Sequence, residues 1–291
     1  MNHVVGSNPV HFKRNWLLRQ RYLLLRRITQ ITLFALFLSG PWYGYWILKG
    51  NLASSIFLDT LVFTDAYIYL QSIVAGHQMG TVASIGALTI LVFYLVVGGR
   101  AYCSWVCPIN IVTDAAFWLR TRFGLNLSWQ PKKNIRNWLL LMTLMVSALT
   151  SSIAWEVVNP ITMLQRGLVF GMGIAWAIVL AVFLFDLIVS RRGWCSHLCP
   201  VGAFYGLVGK FSLVRVSAGK RKACTDCGDC FRVCPEPHVI TLPLLGGEKG
   251  IGPIVTNGDC TNCGRCIDVC DEDVFHFATR FESKLGKQAG V

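Results

Sequence analysis

The sequence predicts a membrane α-helical protein: four transmembrane helices in two hairpins, followed by a C-terminal α+β ferredoxin-like domain with two 4Fe–4S clusters. Three observations lead there. Of 291 residues, 54% are hydrophobic and only 14% are charged, against about 25% charged in a typical soluble domain, so part of the chain faces lipid. The net charge of +12 is unevenly shared: residues 1–223 hold 21 Lys/Arg and 5 Asp/Glu, whereas residues 224–291 hold 6 and 10. The basic part is the apolar part, which reads as membrane topology and not as a nucleic-acid-binding face. Finally, all twelve cysteines lie in short motifs.

Residues 1–27 form a basic N-terminal arm with Lys13, Arg14, Arg19, Arg21, Arg26 and Arg27 and no acid. A spanning helix needs about 20 apolar residues. Residues 28–48, 80–99 and 138–155 carry no charge, and 167–189 carries only Asp186. Pro41 is expected to kink the first span, and Trp138 and Trp155 bracket the third as an aromatic belt would. Residues 52–75 are also apolar, but Asp59 and Asp65 lie inside them. A carboxylate at mid-bilayer costs a few kcal/mol, so this stretch reads as a long loop with short interfacial helices. Segments 100–137 and 190–223 carry six and seven Lys/Arg, while 49–79 and 156–166 carry one each, Lys49 and Arg166. Basic loops stay in the cytoplasm. Both termini are then cytoplasmic in a multi-pass protein of the cytoplasmic membrane, and the number of spans is even. Residues 28–48 are too long for the apolar core of a signal peptide, and no A-x-A site follows.

The membrane domain, residues 28–223, repeats itself. Cys103-Ser-Trp-Val-Cys107-Pro and Cys195-Ser-His-Leu-Cys199-Pro lie 92 residues apart, each after the second span of a pair. Positions i and i+4 of a helical turn face one way, so the repeat could gather Cys103, Cys107, Cys195 and Cys199 at the membrane surface. Three readings compete: metal or cluster ligands, a reversible thiol/disulfide pair, or small buried side chains. Arg100, Arg191 and Arg192 nearby favour thiolate in the first two.

The third domain, residues 224–291, carries the more specific signal. Cys224-x2-Cys227-x2-Cys230-x3-Cys234-Pro is repeated as Cys260-x2-Cys263-x2-Cys266-x3-Cys270, with Asp271 in place of the proline. This is the spacing of a two-cluster ferredoxin, in which the fourth cysteine of each run ligates the other cluster. One cluster is assigned Cys224, Cys227, Cys230 and Cys270; the other takes Cys260, Cys263, Cys266 and Cys234. Structural zinc favours paired knuckles over triplets, and disulfides do not persist in the cytoplasm. The linker 235–259, rich in Gly and Pro, reads as a surface loop, either a docking surface or a tolerated insertion. The sequence has no Cys-x-x-Cys-His haem site, no His in mid-span, no phosphate-binding loop and no dinucleotide fingerprint for NAD or flavin. Electrons therefore come from a membrane-soluble donor or a partner.

The chain resembles the NapH family of membrane-bound ferredoxin-type proteins over nearly its whole length. The resemblance runs through Leu38-Ser-Gly-Pro-Trp42, both Cys-x3-Cys-Pro motifs, Trp155-Glu156 with Asn159-Pro160, Cys234-Pro-Glu-Pro-His238 and Cys263-Gly-Arg-Cys266. It implies an electron-transfer component of a quinol dehydrogenase in the bacterial inner membrane, with quinol as substrate. It also implies a NapG-like periplasmic iron–sulfur partner, a multihaem c-type cytochrome and the periplasmic nitrate reductase. A quinol site needs an apolar slot and a proton acceptor, and Asp59, Asp65, His77 and Glu156 are the candidates on the periplasmic side. Each has a plainer role open to it, Glu156 as a partner of Arg166 for example. The alternative from another class is a membrane iron–sulfur assembly or maturation factor that reduces or matures a partner metalloenzyme.

Overall fold

The computed structural model describes residues 15–125, 129, 134–171, 173 and 175–282; Lys13, Arg14, Lys132, Lys133, His3 and His11 lie outside them. Helix α1 (Trp16–Arg19) leads into α2 (Arg21–Tyr43), which starts inside the expected basic arm. It stops at Gly44, whose left-handed φ of +77° closes the helix, so the first apolar helix ends before residue 48. The stretch expected to be a loop is instead an antiparallel meander, β1 (Leu48–Gly50), β2 (Ser54–Phe57) and β3 (Leu61–Thr64), followed by α3 (Ala66–Val74). Strand pairing satisfies much of the backbone of this apolar stretch. Strand β3 packs on α4 (Thr81–Val97) at Gly86, where a Cβ would stand 2.7 Å from the Val62 carbonyl oxygen.

A π-helical turn over Tyr102–Val106 carries the first Cys-x3-Cys-Pro motif into α5 (Ile109–Arg122). Helix α6 (Asn134–Thr150) and a 3₁₀ turn follow. The expected fourth span is broken: α7 (Pro160–Phe170) ends at Gly171 with φ +95°, and α8 (Ala175–Leu184) continues as a π-helical turn over Phe185–Val189. The second motif is again a π-helical turn, Trp194–Leu198, leading into α9 (Pro200–Gly209). The repeat seen in the sequence is thus a repeat of backbone geometry.

The helical part buries polar side chains beside its apolar core and exposes many apolar ones. Gln30, Gln71, Ser72 and Ser147 are buried, while Ile31, Ile85, Leu88, Met142, Leu149 and Leu180 are exposed. Lipid stabilises such a surface; water does not. By length and composition, α2 is the one helix among the described residues that could cross a membrane; α4 and α6 have 17 residues each. Four full-length spans are therefore not reproduced. Trp155 is buried and turned inward, so it does not belong to a belt; Trp138 is exposed.

The ferredoxin unit consists of β4 (Val214–Ser217), α10 (Asp229–Val233), α11 (His238–Leu245), α12 (Arg265–Val269) and β5 (His276–Thr279). Strand β4 pairs antiparallel with β5, Val214 opposite Thr279, which draws 214–217 into this unit ahead of the first cysteine. The linker 235–259 is no simple surface loop: Val239, Ile240, Leu244 and Val255 are buried in the domain core. Contacts fix how the two parts meet. In the first turn of α2, Tyr22 N and Leu23 N donate to Asp268. Near the end of α4, Leu95 O accepts from Leu213 N, and at the start of α6 Arg136 pairs with Asp259. Helices α2, α4 and α6 therefore alternate in direction relative to the ferredoxin unit.

Candidate functional site

Each cysteine triplet turns on the same local device. Gly228 (φ +77°) and Gly264 (φ +74°) start α10 and α12 in the left-handed region, which glycine enters freely. At Gly264 a Cβ would also meet the Tyr22 ring at 2.5 Å. Asp226 and Asn262 take positive φ one residue before Cys227 and Cys263, and each accepts from the first thiol of its triplet, Cys224 at 3.6 Å and Cys260 at 3.5 Å. The thiols group across the runs. Cys230 has Cys224, Cys227 and Cys270 as electrostatic neighbours, and Cys234 has Cys263 and Cys260. The fourth cysteine of each run thus sits with the other run's triplet. All twelve cysteines are free. No three His, Cys, Asp or Glu converge on a single ion position among the described residues.

The two Cys-x3-Cys-Pro motifs grip the ferredoxin unit. From the first, Ser104 Oγ donates to Thr261 O (2.7 Å) and Trp105 Nε1 to Asn262 O (3.0 Å). From the second, Arg192 donates to Val233 O (3.0 Å) and Ser196 Oγ lies 3.5 Å from Pro235 O. Both grips fall beside ligands expected for one cluster, Cys260, Cys263 and Cys234. Arg100, 1% exposed, joins all the parts: it donates to Glu236 Oε1 (2.9 Å), Asp259 O (2.8 Å) and Cys195 O (3.0 Å). Arg136 and His238 complete this network on Asp259 and Glu236. Asp114 on α5 is held by Arg27, Arg265 and Arg192. Asp186 accepts from Trp194 N (2.9 Å) and anchors the π-helical turn of the second motif.

The four membrane thiols line one cavity, with Tyr102, Trp155, Ile161 and Trp194. Cys103 and Cys195 also line a second cavity, shared with Arg26, Arg100, Arg192, Arg265 and Cys263. Tyr102, Trp155, Ile161 and Val201 are shared with a third cavity that includes Asp65. Three small cavities with shared wall residues thus lie in series between Asp65, the four thiols and Cys263. Burial, ahead of Arg100, pushes the Cys103 thiol up, and burial pushes Cys199 up to about 12. The expected thiolate bias from neighbouring arginines is therefore outweighed in the bare thiols.

Of the four proton-acceptor candidates, Asp65 and Glu156 lie near one another. Asp65 is buried, caps α3 through Tyr67 N and Ile68 N, and accepts from Tyr205 OH (3.0 Å). Glu156 accepts from Asn159 (3.2 Å); no ion pair with Arg166 occurs among the described residues. Asp59 is exposed and paired with Lys49 (2.6 Å), and His77 is exposed. Neither faces the thiol cavities.

The residues around Cys263 fit an anionic cluster. Arg26 is fully buried, lines the cavity at Cys263, and none of its three guanidinium nitrogens has a hydrogen-bond acceptor. An unpaired buried guanidinium is costly, and a thiolate-held cluster would supply the missing counter-charge. Against burial, Arg26 and Arg265 push the Cys263 thiol down, whereas burial pushes Cys230, Cys234 and Cys266 up. Arg26, Asp114, Tyr205 and the Arg100 network were not singled out as site residues from sequence. Arg26 read there as a topology charge and Arg100 as a neighbour favouring thiolate in the first Cys-x3-Cys-Pro motif; Glu236 and His238, directly behind Cys234-Pro235, carried a local signal.

Residues 79–126 and 168–222 each match a 4Fe–4S binding domain, so both halves of the internal repeat match one family; residues 223–274 match a 4Fe–4S dicluster domain. The methylamine utilization ferredoxin-type protein MauN of Paracoccus denitrificans is 59% identical over 92% of this chain and 94% of its own length. The ferredoxin-type protein NapH of Escherichia coli is 49% identical over 93% and 94%. The chain belongs to the NapH/MauN family of ferredoxin-type proteins. Another MauN, from Methylorubrum extorquens, is 53% identical over 89% of each chain. No solved structure matches. Membership in the NapH/MauN family and the dicluster match make this an iron–sulfur protein of electron transfer.

Proposed function

We propose that this NapH/MauN protein is the membrane electron-transfer component of a quinol dehydrogenase, crossing the cytoplasmic membrane four times with both termini on the cytoplasmic side. The observation that carries the reading is the series of three small cavities from Asp65, past Cys103, Cys107, Cys195 and Cys199, to Cys263. Quinol gives up two electrons and two protons on oxidation. Asp65 and Glu156 stand where protons would be taken up, and the four thiols form a further redox centre beside the ferredoxin unit. Cys224, Cys227, Cys230 and Cys270 would hold one 4Fe–4S cluster, and Cys260, Cys263, Cys266 and Cys234 the other; when bound, each supplies a one-electron couple. The protein's own contribution is to clasp the second set against the membrane thiols through Ser104, Trp105, Arg192 and Arg100.

A membrane preparation given a reduced quinone under anaerobic conditions tests this. The expected result is the electron paramagnetic resonance signal of reduced clusters, weakened in Asp65→Asn and Cys103→Ser. Clusters that stay oxidised with quinol, in protein with full iron content, would contradict it and leave the maturation-factor alternative standing.

The NapH resemblance supports a reading in which a NapG-like periplasmic iron–sulfur protein, a multihaem cytochrome and nitrate reductase lie downstream. Identities of 59% and 53% to MauN proteins, against 49% to NapH, favour a second reading in which the partner belongs to methylamine utilization. Deletion separates the two: loss of growth on methylamine with intact nitrate respiration selects the second, and the converse selects the first.

A further inference from the structure

The two cysteine sets sit in opposite electrostatic surroundings. Asp226 accepts from the Cys224 thiol, Asp229, paired with Arg232 at 3.4 Å, precedes Cys230, and Asp271, Glu272 and Asp273 follow Cys270. Around Cys263 the charges reverse. Arg26, Arg100, Arg192 and Arg265 line the cavity it shares with Cys103 and Cys195, with Asp114 as the one carboxylate in that wall. Three of these guanidiniums are partly neutralised: Arg192 and Arg265 by Asp114, and Arg100 by Glu236. Arg26 has no acceptor for any of its nitrogens.

We propose that Arg26 is a potential-setting residue, and that with Asp114 as its counterweight it makes the cluster on Cys260, Cys263, Cys266 and Cys234 the higher-potential member of the pair. The inference rests on the ligand assignment proposed above. Cluster potentials respond to net charge, to hydrogen bonds at sulfur and to solvent exposure. Burial alone would work the other way, because low dielectric disfavours an added negative charge. Here a buried guanidinium with no acceptor in the protein lines the cavity at Cys263, and the negative charge added on reduction would strengthen its attraction to the thiolate-held cluster. Asp114 opposes it by neutralising the neighbouring arginines. The consequence is directional. A cluster held by Cys260, Cys263, Cys266 and Cys234 would then fill first and would be the acceptor for electrons that arrive past Cys103 and Cys195. The cluster on Cys224, Cys227, Cys230 and Cys270, with Cys227 exposed, would fill second.

The test is a potentiometric titration of full-length protein in lipid nanodiscs, followed by electron paramagnetic resonance. The wild type is expected to show two separate one-electron steps. Arg26→Gln should move only the upper step down, by at least tenfold in the reduction equilibrium, or about 59 mV for one electron. Arg26→Lys should stay near wild type, and Asp114→Asn should move the upper step up. The opposite signs matter, because general loosening of the site would not produce them. Coincident steps in the wild type, equal movement of both steps, or a downward shift in Asp114→Asn would overturn the proposal. If Arg26→Gln loses iron, Arg26→Lys and Asp114→Asn decide alone. Wild-type protein without iron would refute the ligand assignment instead.

Discussion

Replacing Arg100 with Met should loosen the ferredoxin unit from the membrane part without unfolding either. Arg100 is 1% exposed and its two terminal nitrogens serve Glu236, the Asp259 carbonyl and the Cys195 carbonyl at 2.8–3.0 Å. Removing one partner of a buried charge pair costs about 3–5 kcal/mol. Arg136 at 3.8 Å and His238 at 3.6 Å still face Glu236, which places the loss near the lower end, about 3 kcal/mol. At about 1.4 kcal/mol per decade that is roughly a hundredfold in the docking equilibrium. Hydrogen exchange in nanodiscs reads it out: amides of 257–262 and 194–199 should exchange about a hundredfold faster, while those in the middle of α4 do not change. Arg100→Lys should recover part of the protection, since an ammonium cannot serve three acceptors with a planar fork. A double-mutant cycle with Glu236→Gln should give a coupling of at least about 1 kcal/mol. Exchange within threefold of wild type, or strict additivity in the cycle, would refute the clasp.

Three further outcomes are expected. Cys270→Ser should abolish the paramagnetic signal of the Cys224 set and spare that of the Cys260 set, although Cys270 belongs to the second run; loss of the second signal instead would uncross the ligands. Tyr205→Phe withdraws a donor from buried Asp65 and should cost about 1–3 kcal/mol in thermal unfolding, whereas Asp59→Asn, at an exposed pair, should cost less than about 1 kcal/mol. Burial opposes its charge, but Arg265, Arg192 and Arg27 hold the Asp114 carboxyl down at about 2, against an ordinary 3.8. This contributes about 2 kcal/mol above pH 4, lost as pH falls toward 2. The stability gap between wild type and Asp114→Asn should therefore match at pH 7 and pH 5 and shrink below about pH 4.

The cysteine sets were legible because their geometry is local. Two-residue gaps and the left-handed glycines 228 and 264 act within a few bonds of the cysteines, and the spacing suggested the same neighbours across the runs that the fold brings near one another. The meander at 48–64 was not legible. Its backbone is satisfied by neighbouring strands, which a count of apolar residues does not register, and Asp59 and Asp65 looked alike. In the fold Asp59 meets Lys49 at the surface, while Asp65 is buried against Tyr205, 140 positions away. The clasp was hidden for the same reason: Ser104 to Thr261 and Trp105 to Asn262 join residues 157 apart. The break at Gly171 escaped notice because both halves of 167–189 are apolar, and hydropathy averages over a glycine.

Iron and acid-labile sulfide per chain, measured on anaerobically purified full-length protein, test the whole account most directly. At least about eight irons with matching sulfide are expected, the content of two cubanes. Zinc in place of iron, or protein that takes up neither, would contradict it.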